Sequence, residues 1–189
     1  MNKKFKLVLI CLCSAAVLFG VIVGITYIPR SIQKDLSGVE LLMKGPGDSD
    51  ELLQKVDIHI NGSIHNGMFM EDPYFKGRFE VSEYPYTLNN DAIVSETVVS
   101  LYSGSLIYNY LDIRGGADNG GFVFGFLYTN KDFSSIAIHI YDEIKDNGSS
   151  SSYSLSNRVI VAPAKDVKTA HEVLTSNVDW FLKIYGMSR

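Results

Sequence analysis

The chain has 189 residues, of which 46% are apolar and 20% charged, with a formal net charge of −4. That length suits one domain, and the composition excludes a disordered chain, a collagen-like repeat and a polybasic nucleic-acid binder.

The apolar residues are concentrated at the start. After Met1-Asn2-Lys3-Lys4-Phe5-Lys6, the run from Leu7 to Ile28 contains no charged residue. As a helix these 22 residues would span roughly 33 Å, enough for a hydrocarbon core of about 30 Å. A cleaved signal peptide has a shorter apolar region of ~7–15 residues and a small-x-small site at its end. Ser14, Ala15 and Ala16 come too early for that, and Gly24 and Thr26 come late. Neither Cys11, after Ile10, nor Cys13, after Leu12, follows the small residue a lipoprotein signal needs. The run therefore reads as an uncleaved membrane anchor, with secretion after cleavage as the alternative. Lys3, Lys4, Lys6 and the terminal amine outweigh Arg30 and Lys34, which lie beside Asp35, so the N-terminus is expected in the cytoplasm and the rest outside.

Both cysteines lie in the apolar run, so residues 30–189 contain none and must be held by core burial. This part carries 14 basic against 21 acidic residues, about −7. A surface of that sign is not expected to seek nucleic acid or anionic headgroups. Asn61-Gly62-Ser63 and Asn147-Gly148-Ser149 match the glycosylation acceptor pattern but read here as turn residues.

From Ser31 to Met43, apolar residues at Ile32, Leu36, Val39 and Met43 have helical spacing, which predicts a juxtamembrane helix. Lys44-Gly45-Pro46-Gly47-Asp48-Ser49-Asp50 then predicts a linker. From Val56 the period is two. Val56, Ile58 and Ile60 alternate with Asp57, His59 and Asn61, and Phe79 and Val81 with Arg78, Glu80 and Ser82. Further strands are expected at 106–113, at 122–128, where Phe122, Phe124, Phe126 and Tyr128 would share a face, at 136–140 and at 159–162. Several of these are apolar on both faces and need cover on both. The amphipathic pattern of Val167, Ala170, Leu174, Val178, Phe181 and Tyr185 predicts a covering helix of about twenty residues, preceded by Pro163 and stopped by Gly186. Glycine-rich residues 114–121 read as a hairpin connection, and Asp146-Asn147-Gly148 followed by Ser149 to Ser152 as a mobile tip. The fold class is thus α+β. It is an antiparallel meander of about seven strands, a strongly bent sheet or partly open barrel, with one C-terminal amphipathic helix packed on it and a transmembrane helix in front. The expected organisation is a basic stub at 1–6, an anchor at 7–28, a juxtamembrane helix and linker at 29–54, and an extracytoplasmic β-rich domain at 55–189.

Chemistry is sparse. His59, His65, His139 and His171 show no metal-ligand spacing, although His59 and His139 would approach each other if their strands paired. Asp48-Ser49-Asp50-Glu51 resembles the start of a calcium loop but lacks its glycine and distal glutamate. Glu71-Asp72 and Asp142-Glu143 are carboxylate pairs at strand ends. Ser31-Ile32-Gln33-Lys34 matches a Ser-x-x-Lys signature without its companions. No catalytic set, metal or cofactor is expected. The candidate ligand-binding residues are the aromatics Phe122, Phe124, Phe126 and Tyr128, with Tyr108 and Tyr110, which on a concave face would line an apolar cavity. The same residues would serve equally as a core for the helix.

The stretches Ile60-Asn61-Gly62-Ser63, Phe69, Phe75-Lys76-Gly77-Arg78-Phe79-Glu80-Val81 and Tyr84-Pro85-Tyr86-Thr87 form a loose pattern. It continues with Gly125-Phe126-Leu127-Tyr128-Thr129, Phe133 and Ala162-Pro163-Ala164. Together, over about residues 55–185, they are similar to uncharacterised membrane-anchored small proteins of Gram-positive bacteria. The resemblance implies an extracytoplasmic domain and supplies no catalytic residue. The function expected is a membrane-anchored binding or interaction module whose partners are the membrane and another envelope protein, met through an edge strand or exposed strand face. An envelope hydrolase using loop carboxylates and a histidine, and a small apolar-ligand binder, are the alternatives.

Overall fold

A computed structural model describes residues 28–44, 49–66, 73–88, 93–94, 97–100, 103–111, 121–130, 132–144 and 152–177, with residues 5, 12–18, 20 and 24 nearer the N-terminus. Among the described residues nine antiparallel strands form one sheet. They are β1 (Arg30–Leu42), β2 (Glu51–His65), β3 (Tyr74–Val81), β4 (Ile93–Val94), β5 (Thr97–Ser100), β6 (Ser103–Leu111), β7 (Gly121–Thr129), β8 (Ile136–Ile144) and β9 (Ser152–Ala162), followed by one helix, α1 (Val167–Asn177). Seven strands are 8 to 15 residues long, and β4 and β5 are short. The order β4-β6-β7-β8-β9-β1-β2-β3-β5 is two meanders joined where the last strand pairs with the first. The sheet curls into a half-barrel with the helix packed on its outside, the expected β-rich α+β core.

The chain from Ser31 to Met43 is not helical. It is a strand, and the folded unit begins at Arg30 rather than near residue 55. The helix-like spacing has a physical origin in this strand. Its early apolar residues, Ile32 and Leu36, face the inside of the curl, where Ile32 is buried. Val39, Leu41 and Met43 face outward, beneath α1. The apolar face changes side along the strand because cover on the outside begins only at Val39. Beyond β1, the strand expectations at 56–60, 79–81, 122–128, 136–140 and 159–162 fall within observed strands, and that at 106–113 does so up to Leu111, residues 112–113 lying outside the described residues.

Two apolar clusters follow from this arrangement. Inside the curl, Ile58, Ile60, Phe75, Phe79, Phe124, Leu127, Phe133, Ile138 and Ile160 are at most 1% exposed. Outside it, Val39, Leu41, Tyr128, Ala137, Val159 and Val161 are covered by Ala170 and Leu174 of α1. Asp166 caps the helix, its carboxylate accepting from the Thr169 N–H at 2.8 Å. Residues 178–189, on which the longer helix was expected, lie outside the described residues.

The two ends of the curl differ. At the near end, where β1 begins, Phe133 takes a left-handed backbone (φ 54°) in the β7–β8 turn and drives its ring into the core against Phe75 (ring centroids 5.2 Å apart). The Asn130 side chain holds this turn by accepting from the Ser134 and Ser135 N–H groups at 2.9 and 3.2 Å. The opposed pair Gly62 and Gly77 makes room for the Phe75 ring. A Cβ on Gly77 would meet the Asn61 carbonyl oxygen at 2.4 Å and Gly62 Cα at 2.5 Å. The near end is therefore closed by aromatic rings. The far end, where β1 finishes, is polar.

Candidate functional site

At the far end the interior carries a charge. Glu40 pairs with Ile160, an inward residue, while its neighbours Val39 and Leu41 face outward, so its carboxylate points into the curl. The residue is 1% exposed. A carboxylate so placed loses several kcal/mol of hydration unless partners replace the water. Three side chains from other elements do so. Tyr84, which follows β3, donates its hydroxyl to Glu40 Oε2 at 2.8 Å, and Gln54 of β2 donates its amide to the same oxygen at 2.6 Å. Arg158 of β9 lies 3.5 Å from Oε1 and donates to the exposed Asp142 of β8 at 2.9 Å. The network thus runs from a buried acid to a half-exposed guanidinium at the rim.

Its electrostatics follow from this placement. Burial, reinforced by the Glu40 charge and hydrogen bond, pushes the Tyr84 hydroxyl far above the usual tyrosine range. Burial works against the Arg158 charge, but the Asp142 hydrogen bond and the oxygens of Tyr84 and Glu40 outweigh it and raise its pKa. The Tyr84 ring packs on Phe124 at 4.8 Å and Tyr86 at 5.7 Å, which joins the polar network to the apolar interior. Thr87, at the end of a short 3-10 turn (Pro85–Thr87), fixes this segment by donating to the Val81 and Tyr84 carbonyls and accepting from the Val81 N–H.

Around the same rim stand Leu52, Leu53 and Leu155, which are 41%, 42% and 47% exposed. They sit at the start of β2 and in the outer half of β9, on either side of the strand ends that carry Glu40 and Arg158. Among the described residues no group of three or more His, Cys, Asp or Glu could hold a metal ion.

Comparison of the chain with protein-family models, with curated proteins and with solved structures finds no match.

The expected aromatic stripe is divided. Leu106 pairs with Gly125 and Ile107 with Val123, so Phe124 is an extra residue in a β-bulge, and the inside–outside alternation of β7 changes there. Phe124 and Leu127 face the interior, while Phe126 and Tyr128 face outward under α1, with their rings 5.0 Å apart. Burial, with a smaller push from Tyr141, raises the Tyr128 hydroxyl to about 12. The side chains of Phe122, Tyr108 and Tyr110 lie outside the described residues, although Tyr108 and Phe122 pair in the backbone. The signal for the bulge was Gly125, a glycine inside a strand, whose Cβ would meet the His139 carbonyl oxygen at 2.5 Å.

The other candidates do not converge. His59 is an exposed residue of β2 bonded to Asp35 at 2.7 Å. His139 is 2% exposed on β8, separated from β2 by β9 and β1, with its Nε2–H donated to the Ser156 carbonyl in an irregular stretch of β9. Of the carboxylates, Asp142 joins the rim, whereas Glu71, Asp72 and the Glu143 side chain lie outside the described residues. The calcium-like acids brace the β1–β2 connection instead. Asp50 accepts from the Lys44 N–H and lies 2.8 Å from His171 of α1, while Glu51 pairs with Lys44.

Sequence reasoning missed the rim network because its members come from five separate segments. Glu40 alone carried a signal, as a single acid inside Val39-Glu40-Leu41-Leu42, once that segment is recognised as a strand.

Proposed function

We propose that the chain is a membrane-anchored, extracytoplasmic interaction module that meets another envelope protein through the far rim of its half-barrel. The observation that carries this reading is the trio of exposed leucines, Leu52, Leu53 and Leu155, at the same far end of the strands as the half-exposed Arg158–Asp142 pair. A well-packed interface draws its energy from apolar anchors and arginine with a polar border, and this rim has those parts. Protein contact is favoured over uptake of a small apolar ligand because the inner face is filled by the chain's own rings: Phe75, Phe79, Phe124 and Phe133 are at most 1% exposed. The anchor reading rests on the uncharged run Leu7–Ile28. Its described residues 12–18, 20 and 24 are helical and exposed, although no described helix is long and apolar enough to cross a membrane.

The test is photo-crosslinking of the full chain in its own membrane, with the reactive group at Leu155 or, as a control, at Asn61 on the polar outer face of β2. The reading predicts one discrete protein adduct from Leu155, lost on Leu53→Asp, and no protein adduct from Asn61. No adduct from Leu155, or an adduct indifferent to Leu53→Asp, overturns it.

A further inference from the structure

Among the described residues α1 covers the outer face of β1 only from Val39 on, and on the outer face of β2, β3 and the earlier part of β1 the charges are sorted along the strands. The register defines rows across the three strands. Starting from the near end they are Arg30–Ile64–Phe75, Ser31–Ser63–Lys76, Ile32–Gly62–Gly77, Gln33–Asn61–Arg78 and Lys34–Ile60–Phe79. On the outer face of these rows the charged residues are both cations, Lys76 and Arg78, while Arg30 and Lys34 stand in the inward rows of Ile64–Phe75 and Ile60–Phe79. The next row, Asp35–His59–Glu80, brings the first acids, and Asp57 follows two rows on. Lys76 and Arg78 alternate with the buried Phe75, Gly77 and Phe79, so both point outward, and both are exposed.

This order has a direction relative to the tether. β1 begins at Arg30, two residues past Ile28, the last residue of the apolar run, and the structure inserts no spacer between them. At about 3.3 Å per residue, the Lys76 row lies ~3 Å of strand from Arg30, the Arg78 row ~10 Å and the first acids ~17 Å. The Debye length at physiological salt is about 8 Å. The two outer-face cations therefore fall within or near the reach of headgroup charge, while the acids of this same face lie about two screening lengths away. The overall charge of about −7 on residues 30–189 hides this local reversal.

We infer that the near-end rows of β1–β3 lie against the outer leaflet, with Lys76 and Arg78 meeting the phosphates of anionic lipid headgroups. This surface would hold the closed end of the half-barrel down and turn the far rim away from the bilayer. The inference rests on the reading of residues 7–28 as a membrane anchor. Each basic residue near an anionic surface contributes about 1 kcal/mol, roughly five-fold in the contact equilibrium.

The test uses the full chain carrying Cys11→Ser and Cys13→Ser, reconstituted in vesicles of phosphatidylcholine alone or mixed with phosphatidylglycerol. A fluorescent label is placed at Asn61→Cys, in the Arg78 row, or at Lys55→Cys, which pairs with Val39 nearer the far end. The quencher is a headgroup-labelled lipid. In mixed vesicles the label at residue 61 is quenched and that at 55 is not. High salt or Lys76→Glu with Arg78→Glu brings residue 61 to the level of residue 55. Salt makes the comparison on the unaltered surface, so it stands even where the double variant folds poorly. Equal quenching at both positions, or quenching indifferent to lipid charge and to salt, overturns the leaflet contact while leaving the anchor intact. A chain that floats with neither kind of vesicle overturns the anchor and this inference with it.

Discussion

Removing one oxygen from the rim network tests the account of it most directly. Tyr84→Phe keeps the ring, and with it the contacts to Phe124 at 4.8 Å and Tyr86 at 5.7 Å. It deletes one of the two short hydrogen bonds to Glu40 Oε2, leaving Gln54 at 2.6 Å and the long 3.5 Å approach of Arg158. A hydrogen bond to a charged group is worth about 1.5–3 kcal/mol. Because Glu40 is 1% exposed, no water takes the place of the lost donor, and the upper half of that range, about 2–3 kcal/mol, applies. For a chain of this size such a loss lowers Tm by about 4–12 °C. Thermal unfolding of the full chain in detergent, followed by near-ultraviolet circular dichroism, measures it. The same substitution on a Glu40→Gln background should cost markedly less, since the charge is then absent. A cost below about 0.5 kcal/mol, or an equal cost on both backgrounds, would refute the view that Tyr84 serves to solvate Glu40. The pH dependence gives a second reading. Burial and then Glu40 hold the Tyr84 hydroxyl neutral in the fold, whereas the unfolded chain releases that proton near pH 10. The folded state binds more protons there, so stability falls as pH rises from about 10. Tyr84→Phe should remove part of that slope, and the part due to Tyr128, which titrates at about 12, remains.

Two further outcomes follow from the packing. Gly77→Ala places a methyl group 2.4 Å from the Asn61 carbonyl oxygen and 2.5 Å from Gly62 Cα, backbone atoms that cannot swing aside. It should cost about 3 kcal/mol or more in urea unfolding, and a loss under about 1 kcal/mol would contradict the close approach of β2 and β3. His139 is neutral in the fold because burial lowers its pKa, a shift only partly opposed by its bond to the Ser156 carbonyl. The unfolded chain gains that proton as pH falls below about 6.5, so this stability is present above that pH and lost below it. His139→Leu should therefore show a shallower decline in Tm between about pH 6.5 and 5 than the parent, and parallel declines would refute the assignment.

Much of the fold was legible because burial on one face of a strand leaves a period of two. Val56, Ile58 and Ile60 are buried while Asp57, His59 and Asn61 are exposed, as their alternation required. The two-sided apolar character of 136–140 and 159–162 correctly demanded a cover, and Ala170 and Leu174 of α1 supply it. Misreadings arose where a strand changed its apolar face partway. In β1 the cause was tertiary, since outside cover starts only at Val39. In β7 it was a single bulged residue, Phe124, which shifts the parity of every side chain beyond it. Neither event alters composition or hydropathy, so neither leaves a periodic trace. The rim network was hidden for a different reason. Glu40, Gln54, Tyr84 and Arg158 become neighbours only after β9 pairs with β1 and β2 with β1.

That pairing of first strand with last also constrains the order of events during synthesis. The ladder from Val39↔Val161 to Leu42↔Arg158 joins segments about 120 residues apart, so β1 waits for nearly the whole chain before its second neighbour exists. Closing so long a loop is slow, and a nascent chain stopped short of β9 carries a finished β1–β2–β3 unit with one unsealed side. Truncations anywhere before Arg158 should then behave alike, as soluble fragments only while something else occupies that side, and Arg158 to Val161 of β9, which pair with β1, act as the latch that ends the chain's vulnerability to misassembly.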